Sequence, residues 1–255
     1  VKADIPFPLH SEDEFLKCFF GYVTDHTKVI FLSHITSMTA MKFPVEKVVA
    51  FAKKNNILSI IDGAHVPGHI PLNIRKLDAD IYTGACHKWM CTPKGVSFLY
   101  VRKKLQEDVH PLVVSWGWES EKPGQSKFLD WHEWQGTRDM SAYLTVPVAV
   151  KFLKENNWPE VATRCRESVV KFRKECIEIL DIASPCPDKF LGQMASIPLP
   201  ALDADAFKKK LLRTYRIQVP VFKWGGQTYL RYSFQVYNSE DELTKLLSAI
   251  KELLS

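Results

Sequence analysis

The sequence predicts an α/β fold: a large domain with a mostly parallel sheet, residues 1–158, then a small α+β domain, residues 159–255. Three observations predict it. Short apolar runs alternate with helical stretches between residues 29 and 101, the pattern of strands joined by helical crossovers. One such run, Leu58-Ser59-Ile60-Ile61, ends on an acid, Asp62, at the position where open sheets present residues to ligands. Beyond a long helical stretch the order becomes strand, helix, strand, helix, which suits a second, smaller unit.

The elements follow in order. Ser11 precedes Glu12-Asp13-Glu14, an N-cap with acids in the first turn, so a helix is predicted to about Tyr22. Val29 to Ser33 reads as a buried strand. Pro44-Val45-Glu46 opens a helix to about Lys54, where Asn55-Asn56 stops it. Strands are predicted at Leu58 to Asp62, Ala79 to Thr83 and Gly95 to Val101. Residues 116–134 interleave Trp116, Trp118, Trp131 and Trp134 with charge and read as loop-rich. Helices are expected over 141–156 and 159–180, a strand near 193–197 and a helix over 203–215. A strand over 229–234 and a helix over 239–254 complete the chain.

Composition narrows the function. With 46% hydrophobic and 25% charged residues, the chain is an ordinary globular protein. Its net charge of +5 is too mild, and its basic residues too dispersed, for a nucleic-acid binder. No signal peptide is visible, and no apolar run approaches the roughly 20 residues of a membrane helix. The six cysteines are irregularly spaced and read as reduced thiols of a cytoplasmic protein. A zinc site from His65, His69, Cys86, His87 and Cys91 is not expected, because Pro67 and Gly68 break the helix that would align the two first histidines.

The chemistry concentrates at Asp62-Gly63-Ala64-His65 and Cys86-His87-Lys88-Trp89. Both follow predicted strands, so a carboxylate, two imidazoles and an amine would converge at one sheet edge. That is equipment for holding pyridoxal phosphate (PLP). Lys88 would bond covalently to it, and Asp62 would pair with the pyridinium nitrogen. Lys88 lies in a stretch poor in other charges, where an amine's pKa falls and its nucleophilicity near neutral pH rises. Arg231, on the apolar strand Leu230 to Val236, needs an anion, and its fork suits a carboxylate.

With Gly136-Thr137-Arg138-Asp139 and Arg231-Tyr232-Ser233-Phe234-Gln235-Val236-Tyr237-Asn238, these motifs resemble the class V aminotransferase superfamily of fold-type I PLP enzymes. Within it the likeness is to the isopenicillin N epimerase-like branch, relatives of the cysteine desulfurases. The resemblance implies that His65 touches the ring hydroxyl and His87 lies near the phosphate. It implies that Thr137 reaches the phosphate of the other subunit in a homodimer, that Arg231 holds the substrate α-carboxylate and that Ser37 stands on the substrate side. It implies an amino-acid-like substrate and an epimerase-like or lyase-like reaction. Two positions depart from the pattern. Ala85 replaces the Ser or Asn that serves the phosphate, and residues 216–228 lack the desulfurase loop Cys, which disfavours a persulfide mechanism. A desulfurase, or a non-catalytic fragment that keeps the fold, are the alternatives. No Gly-rich or Ser/Thr-rich phosphate loop precedes Asp62, and Lys88 comes early, so the chain is expected to be the C-terminal portion of a longer protein that binds PLP poorly by itself.

Overall fold

A computed structural model describes residues 1–254. Its first sheet has the strand order β1 (Val29–Ser33), β2 (Leu58–Asp62), β3 (Ile81–Ala85), β4 (Ser97–Val101). The first three strands are parallel and β4 is antiparallel to β3, so the sheet is mostly parallel, as its sequence pattern predicts. Three helices accompany it: α1 (Glu12–Phe20), α2 (Val45–Lys54) and the one-turn α3 (Ile74–Leu77). The Ser11 hydroxyl caps α1 by accepting from the Glu14 amide at 3.0 Å. Helix α2 buries Val45, Val48, Val49 and Ala52, the i, i+3, i+4, i+7 stripe that packs on β2.

Strand β3 starts two residues later than its sequence suggests. Asp80 is engaged elsewhere: its carboxylate accepts from the Ser59 amide and hydroxyl, each at 3.0 Å, and from Arg102 Nε at 2.9 Å. Those bonds hold residues 79–80 out of the ladder, and the strand runs on to Ala85, directly before the Cys86 turn.

The tryptophan-rich stretch is not wholly loop. Ser126 caps α4 (Lys127–Glu133), which buries Phe128 and Trp131. The helix expected over 141–156 is two, α5 (Ser141–Leu144) and α6 (Val146–Glu155). Pro147 has no N–H to give the Tyr143 carbonyl, and the Thr145 hydroxyl donates to the Ala142 carbonyl at 2.7 Å, closing the first helix. The long α7 (Trp158–Leu180) follows.

The second sheet is antiparallel, in the order β5 (Met194–Leu199), β7 (Gln227–Ser233), β6 (Val221–Trp224). It is flanked by α8 (Ala204–Tyr215) and α9 (Glu240–Leu254). Strand β6 was not expected. It pairs with β7 through Gly225 and Gly226, whose φ values of 56° and 82° make a two-residue turn of the kind that joins twisted strands tightly. Val161, Cys165, Val169, Phe172 and Cys176 form the buried stripe of α7, which packs on β5. The opening residues also reach this sheet: the Phe7 ring lies 5.3 Å from Tyr229 and 5.8 Å from Trp224. One continuous core joins residues of both sheets. Among the described residues no helix is long and apolar enough to cross a membrane.

Candidate active site

Parallel pairing brings the C-terminal ends of β1, β2 and β3 together, with Ser33 beside Asp62 and Asp62 beside Thr83. The chain turns sharply after each. Gly63 presses on Tyr82 so closely that a Cβ there would lie 2.1 Å from the phenol oxygen. Gly68, at φ +79°, abuts the backbone of Trp89, and a Cβ would lie 2.5 Å from its carbonyl oxygen. These contacts lock the loop that carries His65 against the turn that carries Lys88.

Asp62 sits half-buried at the strand end, its Oδ1 accepting from the Ala64 amide at 2.9 Å. Lys88 Nζ lies 3.1 Å from His65 Nε2, and the Trp89 indole N–H points at His65 Nδ1 from 3.5 Å. An indole can only donate, so this pair puts the imidazole proton on Nε2, facing the amine. A neutral Lys88 accepts that proton through its lone pair. Burial pushes the Lys88 pKa below the ordinary lysine value, Asp62 raises it and the Arg231 charge lowers it.

Arg231, on β7, reaches across from the second sheet. Its Nη1 donates to the Ser37 carbonyl and, at 3.2 Å, to the Ser37 hydroxyl. Its Nε is buried without a hydrogen-bond partner, and no carboxylate pairs with it among the described residues. Burial lowers the pKa of the guanidinium. His87 donates from Nδ1 to the Val96 carbonyl at 2.9 Å, which leaves Nε2 for another partner. Thr137 stands apart from this cluster, exposed on the rim of a hollow between residues 115 and 138 lined by Trp116, Trp118 and Trp134.

Several residues that brace the site were given no bracing role by their sequence. Gln235, buried, donates to the Trp89 carbonyl at 3.4 Å and so ties the Lys88 turn to the second sheet. His69 stacks on Trp89 with ring centroids 4.0 Å apart and accepts at Nε2 from the Gln193 amide. Tyr82 pairs with His34 Nδ1 at 3.0 Å. A Gln just past the apolar strand was the available signal for Gln235.

Three histidines are held neutral. Burial, aided by Lys42, pushes His34 down to about 4, and burial with Lys88 and Arg231 pushes His65 to about 4. Burial takes His69 to about 3. Their folded values lie below the unfolded value of ~6.5, so on acidification the unfolded chain takes up protons first. Their stabilising contribution is full above ~6.5 and is lost as pH falls through the window down to ~3–4. His34 and His69, the most buried, each contribute a slope of up to ~1.4 kcal/mol per pH unit there. Urea midpoints should fall steeply between about pH 6.5 and about pH 5. Equal midpoints would mean that the folded and unfolded chains bind the same number of protons across this window, so that these imidazoles are not depressed by folding.

A family model described as aminotransferase class-V matches residues 10–246. An isopenicillin N epimerase of Amycolatopsis lactamdurans is 32% identical over 96% of this chain and 65% of its own length. A putative L-cysteine desulfhydrase of Oryza sativa subsp. japonica is 28% identical over 100% of this chain and 59% of its own. A cysteine desulfurase structure from Thermococcus onnurineus NA1 has the same fold, with a TM-score of 0.77 and 21% identity over 89% of this chain and 60% of that one. The chain thus spans roughly three fifths of the length of the relatives it matches. With the match running through both sheets and every residue of the Lys88 cluster, the chain belongs to the class-V aminotransferases, a family of PLP-dependent enzymes.

Proposed function

We propose that the chain carries out PLP-dependent chemistry at the α-carbon of an amino acid or amino-acid-like substrate, of the epimerase or lyase kind. The observation that supports this most is the pairing of Lys88 with His65 opposite an Arg231 whose Nε lacks a partner. The donor set fits the cofactor: Lys88 offers an amine for its aldehyde, Asp62 a carboxylate for its ring nitrogen, His65 a contact for its ring hydroxyl and His87 a contact for its phosphate. When bound, PLP supplies an electron sink for charge developing at the α-carbon. Lys88, once free, is placed to move the α-proton, and neutral His65 holds that amine in position. Arg231, steadied by Ser37, receives the α-carboxylate through its fork.

Thr137, exposed and away from Lys88, would serve the phosphate in a partner subunit, so the working unit is read as a homodimer in the cytoplasm. A desulfurase reading is weaker because residues 216–228, which form the turn and hairpin before Arg231, contain no cysteine.

Incubation of the PLP-supplied protein with L-amino acids in deuterated water tests the proposal. Deuterium is expected at the α-carbon of at least one substrate, with formation of the D-isomer marking an epimerase and release of the side chain a lyase. If none of a broad panel exchanges its α-hydrogen, the α-carbon assignment fails. Arg231→Lys should raise KM about 10–100-fold for a substrate bearing an α-carboxylate, since a charge-assisted fork is worth ~1.5–3 kcal/mol. If the wild-type protein binds the α-amide as well as the acid, Arg231 does not read the carboxylate.

A further inference from the structure

A cavity of about 550 Å³ lies where the β1–α2 connection meets α7 and residues 189–192. It is separate from the cluster described above: Asp62, His65, Lys88 and Arg231 are not among its lining residues. Its wall reaches that cluster through His69, which stacks on Trp89.

The cavity carries an excess of positive charge. Lys42, Lys47, Arg166 and Lys189 border it, against the carboxylates of Glu12 and Glu46. Glu12 pairs with Lys47 at 2.5 Å and with Lys189 at 3.8 Å. Lys42 and Arg166, both half-buried, pair with no carboxylate among the described residues. Neutral groups hold the Arg166 guanidinium in place: Nε donates to the Leu191 carbonyl at 3.0 Å and Nη2 to the Asp188 carbonyl at 2.8 Å. Carbonyls fix a guanidinium without neutralising it, so its charge and its Nη1 hydrogens remain for an anion. The charge of Lys42 reaches inward, where it helps to keep His34 and His69 neutral.

A buried donor faces the same space. His34 is 4% exposed and lines the cavity. Its Nδ1 lies 3.0 Å from the Tyr82 hydroxyl. That hydroxyl has no other acceptor among the described residues, so it donates to Nδ1 and the imidazole proton sits on Nε2. Nε2 makes no hydrogen bond among the described residues, and a buried N–H ordinarily has a partner. Helix α2 starts at Pro44 without a side-chain cap, and its first turn borders the cavity with the positive end of the helix dipole. Ile70, Pro71, Pro159 and Ala162 make another part of the wall apolar.

We propose that this cavity binds a phosphate monoester with an apolar body, its head received by Lys42, Arg166 and the His34 Nε2–H and its body by Ile70, Pro71, Pro159 and Ala162. Four cations against two carboxylates leave an excess of two, which matches a dianion better than a monocarboxylate. The bound molecule ties the β1–α2 connection to α7 and so strengthens the packing of one sheet on the other.

Calorimetric titration of the 255-residue chain at pH 8 and fixed ionic strength tests the proposal, with phenyl phosphate, inorganic phosphate and benzoate as probes. Phenyl phosphate is expected to bind about 5-fold more tightly than inorganic phosphate, for its buried ring, and about 10-fold more tightly than benzoate, for its second charge. The thermal midpoint should rise with its concentration, and the His34 ring signals should shift as it saturates. Lys42→Gln should weaken binding about 10-fold. Thr163→Trp, which fills the cavity from the exposed side of α7, should remove binding by a different route, so the reading survives if either variant fails to fold. His87→Gln should leave the affinity unchanged. Three outcomes would overturn the proposal: benzoate binding as tightly as phenyl phosphate, His34 signals unmoved at saturation, or binding lost in His87→Gln and kept in Lys42→Gln and Thr163→Trp, which would put the anion in the cofactor site. None of these involves Lys88, so the α-hydrogen exchange experiment stands or falls separately.

Discussion

Replacing Lys88 with alanine is expected to abolish covalent capture of PLP and to lower turnover at least ~1000-fold, the scale of a lost acid–base group together with a lost attachment point. Lys88 stands on the turn that follows β3. Cys86 and Trp89 are buried, the Gly68 backbone closes over Trp89, and Lys88 is left half-buried against His65. Burial and Arg231 favour its neutral form, which is the form that attacks an aldehyde. Borohydride reduction in the presence of excess PLP, followed by peptide mapping, reads the result. The wild type should carry one pyridoxyl group, on Lys88, and the variant none. A label on Lys42 or Lys94 in the wild type would refute the assignment. The fold should tolerate the change, since alanine leaves no buried charge behind and the bonds that form the turn are backbone ones.

Asp62→Asn should retain PLP yet slow turnover by ~100–1000-fold, the usual effect of removing one preorganised electrostatic partner. The substitution is nearly isosteric. An amide oxygen can still accept from the Ala64 N–H, so the strand end and the Gly63 turn stay in place. What is lost is a negative charge, and with it the preference for a protonated ring nitrogen. A second consequence has a definite sign. Asp62 raises the Lys88 pKa, so removing it lets that pKa fall further. Covalent labelling should therefore persist to lower pH in the variant than in the wild type. Unchanged turnover at saturating substrate would remove Asp62 from the chemistry, and an alkaline shift of the labelling profile would contradict the electrostatic account.

Much of this fold was legible because local and global signals agree. Ser11, Pro44 and Asp203 mark helix starts by chemistry that operates within one turn, and the structure uses each at that position. Leu58 to Asp62 carries Leu58, Ile60 and Ile61 up to its acid, in a strand paired on both sides. What was missed depended on non-local bonds. The start of β3 is set by Asp80 bonding to Ser59 and Arg102, residues some twenty positions away in opposite directions. The Gly225-Gly226 hairpin carried a readable turn signal, but Val221 to Trp224 is too short to announce itself as a strand. In the site, the Lys88 and Asp62 positions follow from strand ends. The Trp89–His65–Lys88 chain and the Gln235 brace require two turns and a second sheet to meet, which periodicity cannot express.

The clearance at Gly63 and Gly68 sets how the site can drift under mutation. At each position the space a methyl group needs is already filled, by the Tyr82 phenol in one case and the Trp89 backbone in the other. A side chain at either glycine must displace the very groups that locate Asp62 and Lys88, so fold and chemistry are damaged by the same event. A saturation library read separately for abundance and for turnover should show these two columns depleted together, even for alanine. Positions such as Ser37 and Thr137, exposed and outside the tight turns, should instead lose turnover while abundance is spared. Adaptation to new substrates is therefore open from the side of the second sheet and the exposed loops, and closed at the two turns.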